Sequence, residues 1–282
     1  MTSLIRQIYV LMKQVPDQSA KAGINPDGTI DRAKAKRMMN PFDRYALQAA
    51  LHTKKLYGGK VTAISMGPPL AEEILLEALA HGVDNCVLLS DRRLAASDTW
   101  ATSYALWKTI EHLGPFDLIF CGLQTTDGDT AQVGPEIAER LNLPQVSYCE
   151  DFRVEGTAEK PNLNARRVIE GGYQWVRMAL PGLVTVANSY HPLEYKSLRG
   201  AQMVLSLQRN PEEKSKYIRI LNLDDVQAEP KETGLVGSPT IVAKTFKIAE
   251  IGGSCVMHQG SSVEDLVGDV LNNTNLLEFT HA

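Results

Sequence analysis

Acidic, amide and hydroxyl side chains are concentrated at residues 122–135, in the stretch GLQTTDGDTAQVGP. This stretch follows the apolar run FDLIFC and precedes EIAERL, so it lies where a predicted strand passes into a helix. Such junctions are suited to phosphates, because the first amides of a helix are unpaired and carry partial positive charge. Asp127 and Asp129 would repel a phosphate, however, and the stretch therefore has two interpretations.

The first interpretation is an anion cradle, and the second is a capped turn without a ligand. Glycines permit close backbone approach, and neutral hydroxyl and amide side chains offer hydrogen bonds; these residues are Gly122, Gly128 and Gly134, and Thr126, Thr130 and Gln132. Asp129 is the expected N-cap of the following helix, which would engage its carboxylate locally. The spacing matches neither a P-loop nor GxGxxG, so this loop alone leaves both interpretations open.

The stretch DTWATS at residues 98–103 places three hydroxyl side chains in the first turns of another predicted helix. Asp98 is the expected N-cap, and Thr99, Thr102 and Ser103 follow it. Hydroxyls at a helix N-terminus bind a pyrophosphate, or they bond back to carbonyls of their own helix, which is the commoner outcome. The sequence leaves both outcomes open.

The two stretches come together if the chain folds as an open α/β sheet. From residue 7 to about 145, short apolar runs alternate with longer helical patterns, which predicts a parallel sheet covered by helices on both faces. Loops that follow parallel strands converge at one sheet edge. The converging segments would be MKQVPD after the first strand, SMGPP at 65–69, residues 90–103 and residues 122–135, with MNPFD at 39–43 nearby.

The pattern changes near Pro144. Residues 145–155 and 162–187 have the character of longer strands, with a hairpin joined at Gly171-Gly172. From about residue 190 the apolar periodicity thins. We therefore expect an α/β domain over residues 1–190, and we expect 191–282 to form an arm that lies on another subunit.

Composition excludes several classes of protein. The 282 residues carry a net charge of −4, which disfavours a nucleic-acid or membrane-coating role, and the apolar N-terminal run is too short to span a bilayer. The four cysteines show no metal-ligand spacing and are expected to be reduced core thiols in a cytoplasmic protein. The histidines share no spacing with a nucleophile. We find no catalytic side chain, which favours a carrier of a redox or nucleotide group.

Five motifs nevertheless occur together: VLMKQVPD near the start, MNPFDRYAL at 39–47, AISMGP at 63–68, GLQTTDGDTAQVGP at 122–135 and RRVIEGGYQWVRMALPGLVTV at 166–186. In this order they resemble the β subunit of electron transfer flavoproteins, and the likeness spans roughly residues 6–200. The resemblance implies the adenine-nucleotide α-hydrolase-like α/β fold. It also implies a heterodimer with an α subunit that binds its own FAD.

Carried over to this sequence, the resemblance implies a nucleotide site. It assigns three segments to the adenosine: Leu11, Met12 and Lys13; Asn40, Pro41, Phe42 and Asp43; and Ser65, Met66 and Gly67. It assigns the phosphates to the loop residues Gly122, Gln124, Thr126, Asp127, Gly128, Asp129, Thr130, Ala131, Gln132, Val133 and Gly134. It extends the binding site to a full dinucleotide through four further residues, Asp98, Thr99, Thr102 and Ser103.

Two further segments match the family. Glu170, Gly171 and Gly172 correspond to its signature hairpin, for which the resemblance implies a structural role. The stretch EYKSLRGAQM at 194–203 corresponds to the recognition loop that docks on dehydrogenases, with Leu198 as its hydrophobic anchor.

The family has two branches. The housekeeping branch holds AMP in this loop and tends to carry Asn and Thr where this chain has Ala131 and Val133. The form DGDTAQVGP, with SDTWATSY at 97–104, resembles the electron-bifurcating branch, whose β subunit binds a second FAD that takes a hydride from NADH.

That branch implies an electron-transfer component rather than a stand-alone enzyme. One electron would pass through the α-subunit FAD to an acyl-CoA or related dehydrogenase, and the other to ferredoxin or flavodoxin. The alternatives are an AMP-binding electron shuttle in the same family and a nucleotide-binding regulatory module of the universal-stress-protein kind.

Overall fold

A computed structural model describes residues 4–17, 36–241, 262–265 and 267–268. The chain divides into two compact units, Met1–Ile241 and Val242–Ala282. In the second unit the described backbone is helical at 263–265 and 267–268. The architecture that follows is that of the first unit.

Within the described ranges, nine strands form one sheet in the order β11-β5-β4-β1-β6-β10-β7-β8-β9. The first seven strands in this order pair in parallel, and β7, β8 and β9 pair antiparallel. The strands are β1 Gln7–Leu11, β4 Lys60–Met66, β5 Asn85–Leu89, β6 Leu118–Gly122, β7 Gln145–Thr157, β8 Lys160–Ile169, β9 Gly172–Ala179, β10 Gly182–Val186 and β11 Ile218–Leu221. A separate antiparallel pair is formed by β2 Gln14–Pro16 and β3 Arg37–Met39.

The helices begin and end where the sequence places its caps and breakers. Pro41 is the first residue of α1, and Gly58, with a φ of 85°, follows its end. Gly82, in the left-handed conformation, terminates α2. The helices are α1 Pro41–Tyr57, α2 Glu72–His81, α3 Thr99–Leu113, α4 Val133–Arg140, α5 Leu198–Arg209 and α6 Pro211–Lys214.

Two apolar layers cover the sheet. Ile8 and Val10 of β1 belong to the layer that contains buried residues of α1 and α2, whereas Tyr9 and Leu11 belong to the layer that contains those of α3 and α4. This alternation follows from the two-residue period of a strand. The predicted parallel sheet with helices on both faces is confirmed.

The strand order creates a topological switch point at β1. The chain proceeds from β1 to β4 and β5 on one side, then crosses to β6 and β10 on the other. The loops after β1 and β6 therefore leave the sheet edge in opposite directions, and a crevice opens between them. This is the edge at which the sequence placed its candidate loops.

The predicted hairpin is present, with Glu170 and Gly171 as its turn and Gly172 already in β9. The first compact unit extends to Ile241, and the functional boundary expected at 190 stays a prediction. Residues 198–228 pack on the domain itself: β11 pairs with β5, Leu207 of α5 is buried, and Leu223 is fully buried. The sequence signal was weak here because β11 is four residues long and only its end residues are buried. Packing of residues 191–282 on an α subunit stays a prediction, and 242–261 and 269–282 lie outside the described residues.

Three of the four cysteines, Cys86, Cys121 and Cys149, are buried and free, as expected of core thiols, and burial raises the pKa of each. Cys255 lies outside the described residues. Among the described residues, no helix has the length and apolar character needed to cross a membrane.

We expect Leu207→Ala to lower the free energy of unfolding of the isolated chain by about 2–4 kcal/mol, because it empties a buried site between α5 and the domain. Leu205→Ala, in the same helix but 55% exposed, is the matched control and is expected to change it by less than about 0.5 kcal/mol. Chemical denaturation measures both. Equal effects would contradict the packing of α5 on this chain.

Candidate functional site

The crevice at the switch point is spanned by an ion pair. Lys13, just after β1, places its Nζ 2.8 Å from the carboxylate of Asp127, in the loop after β6. Burial alone would raise the pKa of Asp127, but the hydrogen bond and charge of Lys13 outweigh it and lower that pKa. Both side chains are partly exposed, so the pair lies at the mouth of the crevice and contributes modestly to stability.

Asn40 connects the two sides of the crevice below this ion pair. Its side-chain amide donates to Asp43 Oδ1 at 2.9 Å and to the carbonyl of Gln124 at 2.8 Å. Its Oδ1 accepts the backbone N–H of Thr126 at 3.3 Å, and its own backbone N–H donates to the carbonyl of Lys13 at 2.9 Å. Asn40 is fully buried, so these bonds are shielded from water.

Asp43 is the second buried polar residue at this position, in the first turn of α1. Its Oδ2 accepts the backbone N–H of Lys13 at 2.7 Å, and it also accepts the backbone N–H of Gly122. Burial raises the pKa of Asp43 from 3.8 to about 7, although these hydrogen bonds and the charge of Lys13 oppose the rise. One carboxylate thus joins the end of β1, the start of α1 and the end of β6.

The start of α1 packs directly against Gly122, where no side chain would fit. A Cβ there would lie 2.8 Å from the backbone nitrogen of Asp43 and closer still to its Oδ1. Gly134 is similarly close to β6, since a Cβ would lie 2.7 Å from Cys121 Sγ. The absence of a Cβ at both positions brings the starts of two helices close to the strand edge.

The loop after β6 contains two residues in an uncommon backbone conformation. Asp129 and Ala131 both have a φ of 56°, in the left-handed region that non-glycine residues rarely adopt. No acceptor among the described residues pairs with the backbone N–H groups of residues 130–134. Successive free amides in such a turn, at the start of a helix, form a concave binding site for an anion.

The predicted N-cap role of Asp129 is wrong. Gln132 occupies the N-cap position of α4 and makes no side-chain cap bond. Asp129 instead accepts a hydrogen bond from the side chain of Gln124. The left-handed turn at Ala131 lies between Asp129 and the helix, which moves the start of α4 three residues further along than a cap at 129 would allow.

Asp98 is the N-cap of α3, as predicted: its carboxylate accepts the backbone N–H of Ala101 at 3.0 Å. It also accepts the backbone N–H and the hydroxyl of Thr240, at 3.0 and 2.8 Å. Ser238 Oγ accepts the backbone N–H of Asp98, and Ser97 Oγ accepts that of Gly234. Residues 234–240 therefore form a strap across the start of α3.

The helix starts of α3 and α4 meet at Thr99, whose hydroxyl lies 3.2 Å from Gln132 Oε1 and 3.1 Å from Glu136 Oε1. Ser103 does not face the crevice. It is fully buried, donates to the carbonyl of Trp100 at 2.9 Å and accepts from Arg140 Nε at 3.1 Å. Its hydroxyl follows the commoner outcome, bonding back to its own helix. Thr102 is partly buried in the next turn.

The remaining predicted adenosine residues differ in their burial. Leu11 and Met12 belong to opposite apolar layers of the core. Ser65, at the end of β4, is fully buried and its hydroxyl lacks a hydrogen-bond partner. The partly exposed members of the set are Lys13, Pro41, Phe42, Met66 and Gly67. Cavities of about 380 and 260 Å³ lie elsewhere, on β7–β9 and beside α1, and contain none of these residues.

The predicted docking residue Leu198 is the first residue of α5 and is 76% exposed. Tyr195, three residues earlier, is also fully exposed. The segment that carries them is attached to α1, because Gln48 Oε1 accepts the backbone N–H of Glu194 at 3.0 Å. Exposure is consistent with docking, but the docking role stays a prediction.

Two groups of residues were not identified from the sequence. Ser238 and Thr240 lie about 140 positions from the helix they contact, and no local pattern indicates such a pair. From the sequence we assigned Asn40 and Asp43 to the ligand. An Asn at a helix start with an Asp three residues later is also the pattern of a local hydrogen-bonded pair, and the structure shows that pair.

Fold and crevice together define a class: an α/β protein with a loop of unpaired backbone amides at its topological switch point. Comparison with known proteins defines the family. The pattern of the electron transfer flavoprotein domain matches residues 27–220. The electron transfer flavoprotein subunit beta of Thermoanaerobacterium thermosaccharolyticum is 42% identical over 239 residues, which cover 84% of this chain and 86% of that protein. The chain therefore belongs to the electron transfer flavoprotein family, among its β subunits.

Two other relatives cover more of the chain. The acryloyl-CoA reductase electron transfer subunit gamma of Anaerotignum propionicum is 40% identical over 94% of this chain and 98% of that protein. The caffeyl-CoA reductase-Etf complex subunit CarD of Acetobacterium woodii is 38% identical over 94% of this chain and 97% of that protein. The names of both relatives describe subunits that work with a reductase.

We expect Asp98→Ala to lower the free energy of unfolding by about 1–2 kcal/mol, because it removes both the α3 cap and the anchor of Thr240. Burial alone would raise the pKa of Asp98, but its hydrogen bonds outweigh this and lower it. The difference from wild type should therefore shrink as the pH falls below 3.8.

Glu111→Ala, on the exposed side of the same helix, is the control for Asp98→Ala and is expected to cost less than about 0.5 kcal/mol. Denaturant titrations at several pH values make the comparison. Equal losses for the two variants would show that Asp98 does not cap α3.

Proposed function

We propose that this chain is the FAD-binding β subunit of an electron-bifurcating flavoprotein in the cytoplasm. The observation that carries the proposal is the run of unpaired backbone N–H groups at residues 130–134, at the switch-point crevice. Amides in this arrangement bind the phosphates of a nucleotide without a lysine or a metal ion. Membership of the electron transfer flavoprotein family makes that nucleotide FAD or AMP.

The two carboxylates that argued against a phosphate are engaged elsewhere. Asp127 is paired with Lys13, and Asp129 accepts a hydrogen bond from Gln124. Thr130 and Gln132 are exposed beside the free amides and supply neutral polar groups. These contacts reduce the repulsion that the composition of the loop suggested, and they favour the anion cradle over the capped turn.

FAD is favoured over AMP by the surroundings of the loop. The start of α3 adjoins this loop where Thr99 meets Gln132, but Asp98 caps that helix. The hydroxyl of Thr99 is therefore the group at this junction that would meet a second phosphate, which a dinucleotide carries and AMP does not. With Ala131 and Val133, the loop resembles that of the bifurcating branch rather than that of the AMP-binding branch. Two relatives are named as subunits that work with an acryloyl-CoA or a caffeyl-CoA reductase, and these names support the same choice.

FAD, when bound, supplies the chemistry: it accepts a hydride from NADH and releases electrons one at a time. The chain's own residues bind and orient the group. The amides of residues 130–134 hold phosphate, and the side chains of Phe42 and Met66, partly exposed at the crevice, offer apolar surface to the adenine. No side chain of this protein is required to form a covalent bond.

The proposed partners follow from the family and from the exposed surface. An α subunit with its own FAD would accept one electron and deliver it to an acyl-CoA or related dehydrogenase, against which Leu198 would dock. Ferredoxin or flavodoxin would accept the other. The AMP-binding shuttle is the second candidate, because the unpaired amides of residues 130–134 would bind a phosphate of either nucleotide.

Purifying the chain with its α subunit and measuring nucleotide content tests the proposal. We expect about two FAD per heterodimer, and bleaching of the flavin absorbance on addition of NADH. One FAD with one AMP, and no bleaching, would overturn the bifurcating assignment and leave the shuttle. Nucleotide content should be measured after dialysis and again with added FAD, because occupancy depends on free ligand concentration.

We expect Gln132→Glu to weaken binding of FAD and AMP by about tenfold, because it adds a negative charge beside the free amides. The carboxylate retains the acceptor for Thr99, but it lies close to Glu136, which shares that hydroxyl, so stability should fall by less than about 0.5 kcal/mol. Binding of adenosine, which has no phosphate, should be unchanged. Calorimetric titration compares the three ligands.

Gln132→Met is the control for this change, since it removes the amide without adding charge. Its effect on FAD and AMP should be smaller than that of Gln132→Glu. If Glu and Met weaken binding equally, or if adenosine is affected as much as AMP, the phosphate does not lie at residues 130–134.

A further inference from the structure

We propose that the cavity beside α1 is a carboxylate-binding site, and that it receives an acidic side chain of the dehydrogenase that docks on Leu198. We call it the α1 cavity. Its volume is about 260 Å³, and its walls come from α1, the end of α2 and residues 193–195. The choice of the dehydrogenase as the source of the carboxylate rests on the docking role proposed above for Leu198, whereas the carboxylate chemistry rests on the cavity alone.

Gln48 lines the α1 cavity with a hydrogen-bond donor that the protein leaves unused. The residue is only 7% exposed, and its Oε1 accepts the backbone N–H of Glu194 at 3.0 Å. That bond identifies the oxygen, so the other branch is the amide nitrogen Nε2, which has no acceptor among the described residues. An acceptor from outside the chain must therefore reach this nearly buried amide, because an unsatisfied donor is costly.

The charges around the α1 cavity favour an anion as that acceptor. Lys55 is exposed at the cavity and forms no ion pair within the part of the chain that the structure describes, whereas Lys54 is paired with Asp84 at 2.7 Å. Burial lowers the pKa of His52, which also lines the cavity, and the nearby cations His191 and Lys55 lower it further than the nearby carboxylates raise it. Positive charge therefore exceeds negative charge around this imidazole.

The chain does not supply the anion itself. Glu194 lines the α1 cavity, but only its backbone is bonded to Gln48. Its carboxylate is on an exposed residue and forms no hydrogen bond or ion pair in the described ranges, with Lys55 or any other group. The donors of the cavity are therefore open to a carboxylate from another molecule.

The size and donors of the α1 cavity fit a side-chain carboxylate. Such a group presents two acceptor oxygens and one negative charge, which match the amide of Gln48 and the ammonium of Lys55. A volume of about 260 Å³ holds an Asp or Glu side chain with water. It is smaller than the pockets of about 300–1,000 Å³ that enclose cofactors and drug-sized ligands.

The predicted docking segment lies directly beside the α1 cavity. Tyr195 is fully exposed and forms one wall, and Leu198 follows three residues later, at most about 11 Å along the chain. A standard protein interface covers about 800 Å² per partner, a disc of about 16 Å radius, so a partner centred on Leu198 covers the cavity too. Lys196 and Arg199 have no ion pair among the described residues, which also favours an acidic partner surface.

Titration of the full-length chain with sodium acetate tests the carboxylate site without any partner. The NMR signals of the Gln48 side-chain amide report binding at the cavity. We expect a saturable shift with acetate, and none with acetamide, the neutral analogue of the same shape, or with sodium chloride. Absence of a saturable shift with acetate would overturn the site.

A matched pair of charge reversals locates the acetate. Lys55→Glu places a negative charge at the cavity and should abolish the saturable shift of the Gln48 amide. Lys60→Glu makes the same change of charge at the start of β4, on an exposed residue outside the cavity, and should leave the shift as in wild type. Equal behaviour of the two variants would show that acetate does not bind at the cavity.

Electron transfer tests the source of the carboxylate. The assay uses the α/β heterodimer and the acyl-CoA dehydrogenase of the same organism that exchanges electrons with it. We expect Lys55→Glu to raise the KM for the heterodimer by about tenfold, with kcat and flavin content unchanged, and Lys60→Glu to match wild type. Gln48→Glu keeps the oxygen that accepts the Glu194 N–H and replaces the free amide by a second acceptor, so it should raise KM as well.

The two assays separate failure of this proposal from failure of the proposed function. If acetate binds but the Lys55 and Gln48 variants keep the wild-type KM, the carboxylate belongs to a free solute and the dehydrogenase is excluded as its source. If Lys55→Glu and Lys60→Glu raise KM equally, general charge and not the cavity is responsible, and the proposal fails. If no acyl-CoA dehydrogenase exchanges electrons with the wild-type heterodimer, the proposed partner fails together with this source, and acetate alone decides the site.

Discussion

The buried carboxylate of Asp43 is the interaction on which the site depends. Burying a charged group is unfavourable unless hydrogen bonds satisfy it, and here the donors come from the end of β1, the start of α1 and the end of β6. The absence of a Cβ at Gly122 allows α1 to begin close enough for these bonds to form. The sheet provides the switch point, and this carboxylate bonds to the backbone on both sides of it.

The two helix starts beside the crevice differ in whether their backbone amides have hydrogen-bond partners. The start of α3 is satisfied internally, because Asp98 caps it and residues 234–240 cover it. The start of α4 is left open, because Gln132 makes no cap bond and the amides of residues 130–134 have no partner among the described residues. Leaving amides unpaired costs stability unless a ligand or water binds them, so the open start, and not the capped one, is the candidate anion site.

The sequence predicted the parts of the structure that local chemistry controls. Pro41, Gly58 and Asp98 marked helix ends correctly, and alternating strand and helix patterns predicted the converging loops. The errors arose from long-range contacts. Asp129 was expected to cap α4, but the left-handed turn at Ala131 intervenes, and the partners of Asn40 at Gln124 and Thr126 lie too far along the chain for any periodicity to reveal them. The short strand β11 was missed because its pairing with β5 is also non-local.

The choice between FAD and AMP depends on what lies beyond the first phosphate. Both nucleotides share an adenylate phosphate, so the open start of α4 serves either one, and family membership alone does not separate them. The discriminating region is the junction where Thr99 meets Gln132, with the strap at Ser238 and Thr240 immediately behind Asp98. A second phosphate at this junction would lie next to a helix start whose cap is also the attachment point of the strap. The cap of α3 and the strap therefore share one carboxylate, that of Asp98, next to the loop after β6.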